Sequence, residues 1–280
     1  MRIARQEDGE SWINALPGLA AERAEAWSLH GLGEPFADSS VSLVLPAELP
    51  DGRAVVLKLQ FPHRESEREA EALQHWSGDG AVQLFAHDHS RSALLIERCL
   101  PGVHLSTEEQ DEVISVLTAL LPRLWKPAGE PFTTLSEEAA LWRRELADRW
   151  EAAGRSFERR LLDAASEALR DLADTQGEQV LIHQDLHGDN VLAAEREQWL
   201  AIDPKPVVGE REFAVAPVVR SYEFGHSRGA VWRRLDRLSS ELGLDRERAR
   251  LWSFAQTLAW AFEGTSVLPR HVETARWLLT

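Results

Sequence analysis

The chain predicts an α+β protein in two lobes, a small strand-rich lobe followed by a larger, mainly helical one. Three observations carry this reading. Strand-like runs concentrate in the first hundred residues, a Pro-Gly break interrupts the chain at Cys99–Gly102, and amphipathic segments fill most of the remainder. The boundary falls at that break, with residues 1–98 in the first lobe and 99–280 in the second. A chain of 280 residues, 44% of them hydrophobic, can build one large core or two modest ones.

Each element has its own warrant. Ser40–Ala47 (SVSLVLPA), Arg53–Phe61 (RAVVLKLQF) and Ser92–Cys99 (SALLIERC) are short runs rich in Leu and β-branched residues. Pro50–Gly52 separates the first two as a hairpin turn does. Glu65–Trp76 is dense in helix formers, with Ala72, Leu73 and Trp76 on one face. The predicted order is therefore β-β-α-β. Beyond the break, Thr107–Trp125, Leu135–Trp150 and Phe157–Leu172 read as helices with acids near their starts, where the helix dipole favours them. Val180–Asp203 returns to strands, and the Trp-rich tail from Gly229 to Thr280 is helical again.

Composition narrows the function classes. The net charge is −15, from 46 acidic and 31 basic residues. That balance argues against nucleic acid as a partner and suits a cationic small molecule. Cys99 is the only cysteine, which excludes an intrachain disulfide and a cysteine zinc cluster. The first residues, MRIARQEDGESW, lack the apolar stretch of a secretory signal, and no run is apolar enough to span a membrane. A cytoplasmic monomer or weak dimer is the expectation.

The densest polar stretch is LIHQDLHGDN, Leu181–Asn190, which holds two His, two Asp, a Gln and an Asn. The next two runs, NVLAA and WLAID, are separated by Glu195–Gln198 and read as a hairpin. In a symmetric register Ala194 pairs with Trp199 and Asn190 faces Asp203, with Cβ atoms about 4.5–5.5 Å apart. An amide oxygen and a carboxylate so placed can share a hard cation such as Mg²⁺. Asp185 lies five residues before Asn190, in the spacing His-x-Asp-x-x-x-x-Asn. In phosphoryl transfer an aspartate there orients the attacking hydroxyl and accepts its proton. His183 reads as a brace for this loop.

These residues resemble the kinase-like aminoglycoside phosphotransferases, most specifically the group of streptomycin 6-phosphotransferases and hydroxyurea-resistance kinases. The resemblance is carried by HQDLHGDNVLAA (His183–Ala194), by WLAIDPKPVVGE (Trp199–Glu210), and by GAVQLFAHDHSRSALLIERCLPG (Gly80–Gly102). It implies a protein-kinase-like fold, and ATP and Mg²⁺ as cofactors. It also implies an acceptor that is small, hydroxylated and cationic, such as an aminoglycoside. By the same resemblance Lys58 contacts the nucleotide phosphates and Glu69 pairs with it, with Glu67 and Glu71 as near alternatives. Glu97 and Cys99 belong to the hinge that receives adenine. Asp185 is the catalytic base, and Asn190 and Asp203 are the magnesium ligands.

The chain departs from the family pattern in places. Gln184 stands where Gly is common, and Ala214 where many relatives carry Asp. The nucleotide-covering segment His30–Leu45 has Gly31 and Gly33 but places Asp38, Ser39 and Ser40 at the turn, with Ser39 or Ser40 as the phosphate-contacting candidate. On the acceptor side Glu223 and Glu263 are the candidate carboxylates, and the tail tryptophans suit core packing better than a ligand wall. The alternatives are a housekeeping metabolite kinase, a metal-dependent phosphoesterase (suggested by DLHG, Asp185–Gly188) and a non-catalytic nucleotide-binding module.

Overall fold

The computed structural model describes residues 8–37 and 41–280, so Asp38, Ser39 and Ser40 lie outside the described residues. The chain divides into two compact units. The first comprises Met1–Val103 together with Leu192–Asp203, and the second His104–Val191 together with Pro204–Thr280.

The first unit opens with helix α1 (Gly9–Ala26), which the sequence does not announce because Pro17 and Gly18 sit inside it and read as breakers. Strands β1 (Ser42–Glu48) and β2 (Ala54–Gln60) form the expected hairpin, with Val44 opposite Lys58. Helix α2 (Glu69–Trp76) begins four residues later than the helical pattern suggests. Then come β3 (Leu84–Asp88) and β4 (Ala93–Glu97), giving a four-stranded sheet in the order β1-β2-β4-β3. Strand β3 is an addition to the predicted β-β-α-β. Its sequence LFAHD is half-buried except at the exposed His87 and lacks a clean alternation. Val55, Leu57 and Leu59 pack with Leu16, Ala20 and Ala24 of α1, so α1 covers one face of the sheet.

The segment Leu192–Asp203 belongs to this unit through its backbone. Strands β6 (Val191–Ala193) and β7 (Trp199–Ala201) are paired, and Ala201 exchanges bonds with Gly80 and Val82 at 2.9 and 3.0 Å. The hairpin is one residue tighter than its sequence suggests. Ala194 N–H donates to Gln198 C=O at 3.3 Å, which sets Ala193 against Trp199 and leaves a three-residue tip, Glu195–Glu197. Arg196 in that tip pulls the register in. It grips the Glu97 carboxylate with two bonds of 2.9 Å and donates to the carbonyls of Gly78 and Ala81. The predicted Asn190–Asp203 pairing is thereby replaced: Asp203 falls outside the ladder and has a left-handed backbone, φ 56°.

The second unit is mainly helical, as predicted. Helices α3 (Gln110–Leu124), α4 (Leu135–Ala152) and α5 (Arg159–Ala173) match the predicted segments within a few residues. Helix α4 starts on a capping box in which Thr134 and Glu137 satisfy each other's backbone N–H. Strand β5 (Gln179–Ile182) pairs antiparallel with β8 (Val207–Glu210), a strand too short to stand out in the sequence. The short α6 (Ala216–Arg220) leads into α7 (Arg228–Leu242) and α8 (Arg246–Ala259). A two-residue ladder of β9 (Phe262–Glu263) and β10 (Ser266–Val267) precedes the closing helix α9 (Pro269–Leu279). Trp252, Phe254 and Phe213 are sealed in this core. Ala214 is buried in the short 3-10 segment Arg211–Val215, a packing position. Among the described residues no helix is long and apolar enough to cross a membrane.

Candidate active site

In the first unit a lysine is shared by two carboxylates. Lys58 lies in the buried middle of β2, and its Nζ donates to Glu69 Oε1 and Oε2 at 2.7 and 2.6 Å. It also donates to Asp203 Oδ1 at 2.6 Å. Gln60, two residues along the same strand, points to the same side and donates to Glu69 Oε2 at 2.6 Å. Of the three acids in the helical run only Glu69 makes this bond. Glu71 pairs with Arg68 at 3.1 Å, and Glu67 lies 3.5 Å from Arg68. Burial alone would push the Lys58 ammonium down, but Asp203 and Glu69 outweigh it and hold the group above the usual lysine range. Lys58 and Glu69 are 4% and 2% exposed, whereas Asp203 is 49% exposed.

The hinge candidates sit at the end of β4. The Glu97 carboxylate is occupied by Arg196 and by Gln83 N–H at 3.0 Å, so its side chain is structural. Its N–H donates to Gln83 C=O at 2.8 Å. Cys99 is buried, and burial, with Glu97 adding, pushes its thiol up to about 12, which leaves it unreactive. Any role of these two residues toward a nucleotide therefore runs through backbone groups.

In the second unit the loop after β5 carries the other predicted group. Gln184 is buried with a left-handed backbone, φ 65°, a conformation glycine adopts without cost. Its carbonyl accepts from Gln256 Nε2 of α8 at 3.4 Å. Gln184 is therefore a loop-shaping residue. His183 is buried and its carbonyl accepts from Lys205 N–H at 2.9 Å, consistent with a brace. Gly188 allows a close approach: a Cβ there would lie 2.7 Å from Phe224 and 2.8 Å from the Ser106 backbone.

Asp185 is a carboxylate shared by two cations. Arg220 Nη2 donates to Oδ1 at 3.2 Å, and Lys205 Nζ lies 3.0 Å from Oδ2. Burial would raise the carboxyl, but Lys205 and Arg220 outweigh it and carry it down to about 2. Both cations lie over the Trp260 ring, Arg220 at 4.4 Å and Lys205 at 4.8 Å from its centroid. Asn190 Nδ2 donates to the Asp185 carbonyl at 2.7 Å, so the amide oxygen is the end left to serve as a ligand. His187 Nδ1 lies 2.8 Å from Glu223 Oε1. Burial lowers the imidazole, but Glu223 and Asp185 more than reverse that.

Some of these partners are invisible to sequence spacing. Lys205 stands two residues after Asp203, within the quoted DPKP signature, yet its contact with Asp185 needs the β5–β8 pairing. Arg220, Gln256 and Trp260 come from α6 and the end of α8, with no local pattern to flag them. Glu223 touches the Asp185 loop through His187, whereas Glu263 sits exposed in β9. Among the described residues, His187, Asp189 and Glu223 form the one group of three whose ligand atoms lie within 4.8 Å of one another. The Asp185 carboxylate is paired with cations instead, which does not suit the dinuclear centre of a phosphoesterase.

A buried lysine–glutamate pair beside a β-β-α-β-β unit, and an aspartate–asparagine loop in a helical unit, together define a kinase-like phosphotransferase. Residues 26–265 match the family described as aminoglycoside/hydroxyurea antibiotic resistance kinase, and the chain belongs to that family. It is 38% identical over 285 residues to a streptomycin 6-kinase of Streptomyces griseus, covering 97% of this chain and 92% of that protein. It is 42% identical over 283 residues to a hydroxyurea phosphotransferase of Kitasatospora aureofaciens, covering 97% and 81%. Among solved structures it resembles the choline kinase LicA from Streptococcus pneumoniae, with a TM-score of 0.66 at 12% identity over 94% of this chain and 99% of that one. A thermostable mutant of aminoglycoside phosphotransferase APH(4)-Ia, in ternary complex with ADP and hygromycin B, gives 0.59 at 15% identity over 92% and 94%. These two likenesses show the fold, which is the kinase-like one.

Proposed function

We propose that the chain transfers the γ-phosphoryl group of ATP, with Mg²⁺, to a hydroxyl of a small cationic acceptor of the aminoglycoside type. The observation that carries this reading is the Lys58 ammonium, buried between Glu69 and the more exposed Asp203. A cation held ready in that way suits the phosphates of a nucleotide. The family supports the same chemistry, and streptomycin and hydroxyurea are the acceptors that the names of its relatives suggest.

Asp185 is the base in this proposal. A carboxylate held near 2 is a weak base, and that matches a loose transition state in which the hydroxyl gives up its proton late. Its main work is to orient the hydroxyl toward phosphorus. Asn190 and Asp203 would hold the magnesium. Each offers an oxygen donor, the amide oxygen of Asn190 being left by its Nδ2 bond and Asp203 being half exposed, and oxygen is what this ion prefers. Bound there, the ion supplies charge neutralisation on phosphate oxygens. The overall acidity of the chain favours a cationic acceptor, while Lys205 and Arg220 confine the charges of such an acceptor to its parts away from the reacting hydroxyl.

The test is turnover of Mg·ATP with streptomycin, hydroxyurea and simple amino sugars, each assayed for ADP and for a phosphorylated product. The reading requires one such acceptor to stimulate ADP release, and chelation of magnesium to abolish it. Stimulation that is unaffected by Asp185→Asn would remove Asp185 from the base role.

A further inference from the structure

The two cations on Asp185 are held very differently. Arg220 has a side chain only 9% exposed. Its Nη1 donates to Gln256 Oε1 at 2.7 Å, and the Gln256 amide reaches the Gln184 carbonyl, so the guanidinium is tied into the loop it serves. Lys205 is 31% exposed and reaches Oδ2 through a flexible four-carbon stem. Its ammonium also stands over the Trp260 ring. If Nζ leaves Oδ2 it keeps the attraction of the indole face and gains water. Displacing Arg220 would break the bond to Gln256 and strip a nearly sealed charge of its partners.

A general base needs an oxygen open toward the proton it takes. Water is the standing competitor of any acceptor hydroxyl. With an ammonium 3.0 Å from Oδ2, a proton arriving at that oxygen would stand beside a positive charge, and Oδ1 is covered by Arg220.

We propose that Lys205 masks Oδ2 of Asp185 until an acceptor displaces it, so that the enzyme discriminates its acceptor hydroxyl against water. The proposal rests on the reading of Asp185 as the base. In the step that the mask suppresses, a water oxygen forms a bond to the γ-phosphorus while the bond from that phosphorus to the bridging oxygen of ADP breaks. The water proton passes to Oδ2, and the products are ADP and inorganic phosphate. In the productive step the acceptor hydroxyl takes the place of the ammonium. The same phosphorus–oxygen bond breaks, the new ester bond forms, and the proton goes to the same oxygen. Lys205 touches Asp185 and not the reacting atoms, so it is a positioning residue.

The experiment is acceptor-free hydrolysis of Mg·ATP by the full chain, read as phosphate release. Lys205→Met should hydrolyse ATP roughly tenfold faster than the wild type, a modest fraction of what general-base catalysis supplies. Lys205→Arg, which keeps a cation on Oδ2, should stay within about twofold of the wild type on the same scale. In Lys205→Met/Asp185→Asn the gain should vanish. A purely structural lysine predicts the opposite sign, slower hydrolysis together with a lower melting temperature. Hydrolysis by Lys205→Met at or below the wild-type rate overturns the proposal, and Lys205→Gln carries the same expectation if the Met variant does not fold. A gain that persists in the double variant would instead bring down the assignment of Asp185 as base, which separates the two failures.

Discussion

The first unit places one cation between two carboxylates, and the second places one carboxylate between two cations. In each triad one partner is fixed and the other is loose. Glu69 is 2% exposed and tied by Gln60, whereas Asp203 is 49% exposed. Arg220 is 9% exposed and tied by Gln256, whereas Lys205 is 31% exposed. The fixed partner keeps a buried charge aimed, and the loose one can give way when a ligand binds. On this account Lys58 is kept ready for phosphate and Asp185 for a hydroxyl.

The largest effect should come from removing the centre of the second triad. Asp185→Asn should lower acceptor-dependent turnover by about 10²–10⁴-fold, with ATP affinity changed far less, since the base acts in the chemical step. Steady-state kinetics with separate ATP titrations decides this. An equal loss in binding would mean that Asp185 shapes the protein and not the reaction.

Removing the centre of the first triad should show in stability as well. Lys58→Met leaves Glu69 buried without its cation and should cost about 3–5 kcal/mol in denaturant unfolding. The double variant Lys58→Met/Glu69→Leu should regain most of that loss, because an apolar pair has no charge to desolvate. If the double variant is no more stable than the single one, the fixed-partner reading of Glu69 is wrong.

The Arg220 charge is also felt by His271, in the first turn of α9. Burial, with Arg220 and His226 adding, pushes this imidazole down to about 4. Its unfolded value is about 6.5, so the unfolded chain binds the extra proton first. Stability from this residue is therefore full above about pH 6.5 and falls toward pH 4, by up to roughly 3 kcal/mol. His271→Asn should flatten that part of an acid-unfolding profile. A profile unchanged by the substitution would mean that His271 titrates normally in the folded chain.

The smallest effect should separate the two cations of the second triad. Arg220→Met should destabilise the protein by about 3 kcal/mol, as the loss of one partner from a nearly buried pair does. Lys205→Met should cost no more than about 1 kcal/mol, the usual range for a partly exposed pair. Equal losses would erase the distinction between fixed and loose partners.

How far the sequence can be read depends on the range of the interactions. Asp185, Asn190 and Asp203 are singled out as candidates by the spacing of short stretches, and the resemblance adds Lys58 and picks out Glu69 among three acids. Structure adds the reason for that choice: Glu69 faces Lys58 and Gln60, while Glu71 pairs with Arg68. The hairpin register differs by one residue from the symmetric pattern because Arg196, at its tip, answers to Glu97 nearly a hundred positions away. Pro17 and Gly18 hide helix α1, and weak or short patterns hide β3 and β8. Lys205, Arg220 and Trp260 escape for a similar reason. Arg220 and Trp260 are ordinary in their own segments and reach the site through α6 and the end of α8, while Lys205 reaches Asp185 through the β5–β8 pairing.

The most direct measurement tracks phosphorus itself. Mg·ATP is incubated with the protein and with streptomycin or hydroxyurea, and the products are resolved by phosphorus NMR and mass spectrometry. The account predicts ADP in equal amount to a new phosphate ester on one of these acceptors, lost in Asp185→Asn. Neither acceptor gaining phosphate while ATP is split only to ADP and inorganic phosphate, or Asp185→Asn forming the ester at the wild-type rate, would contradict it.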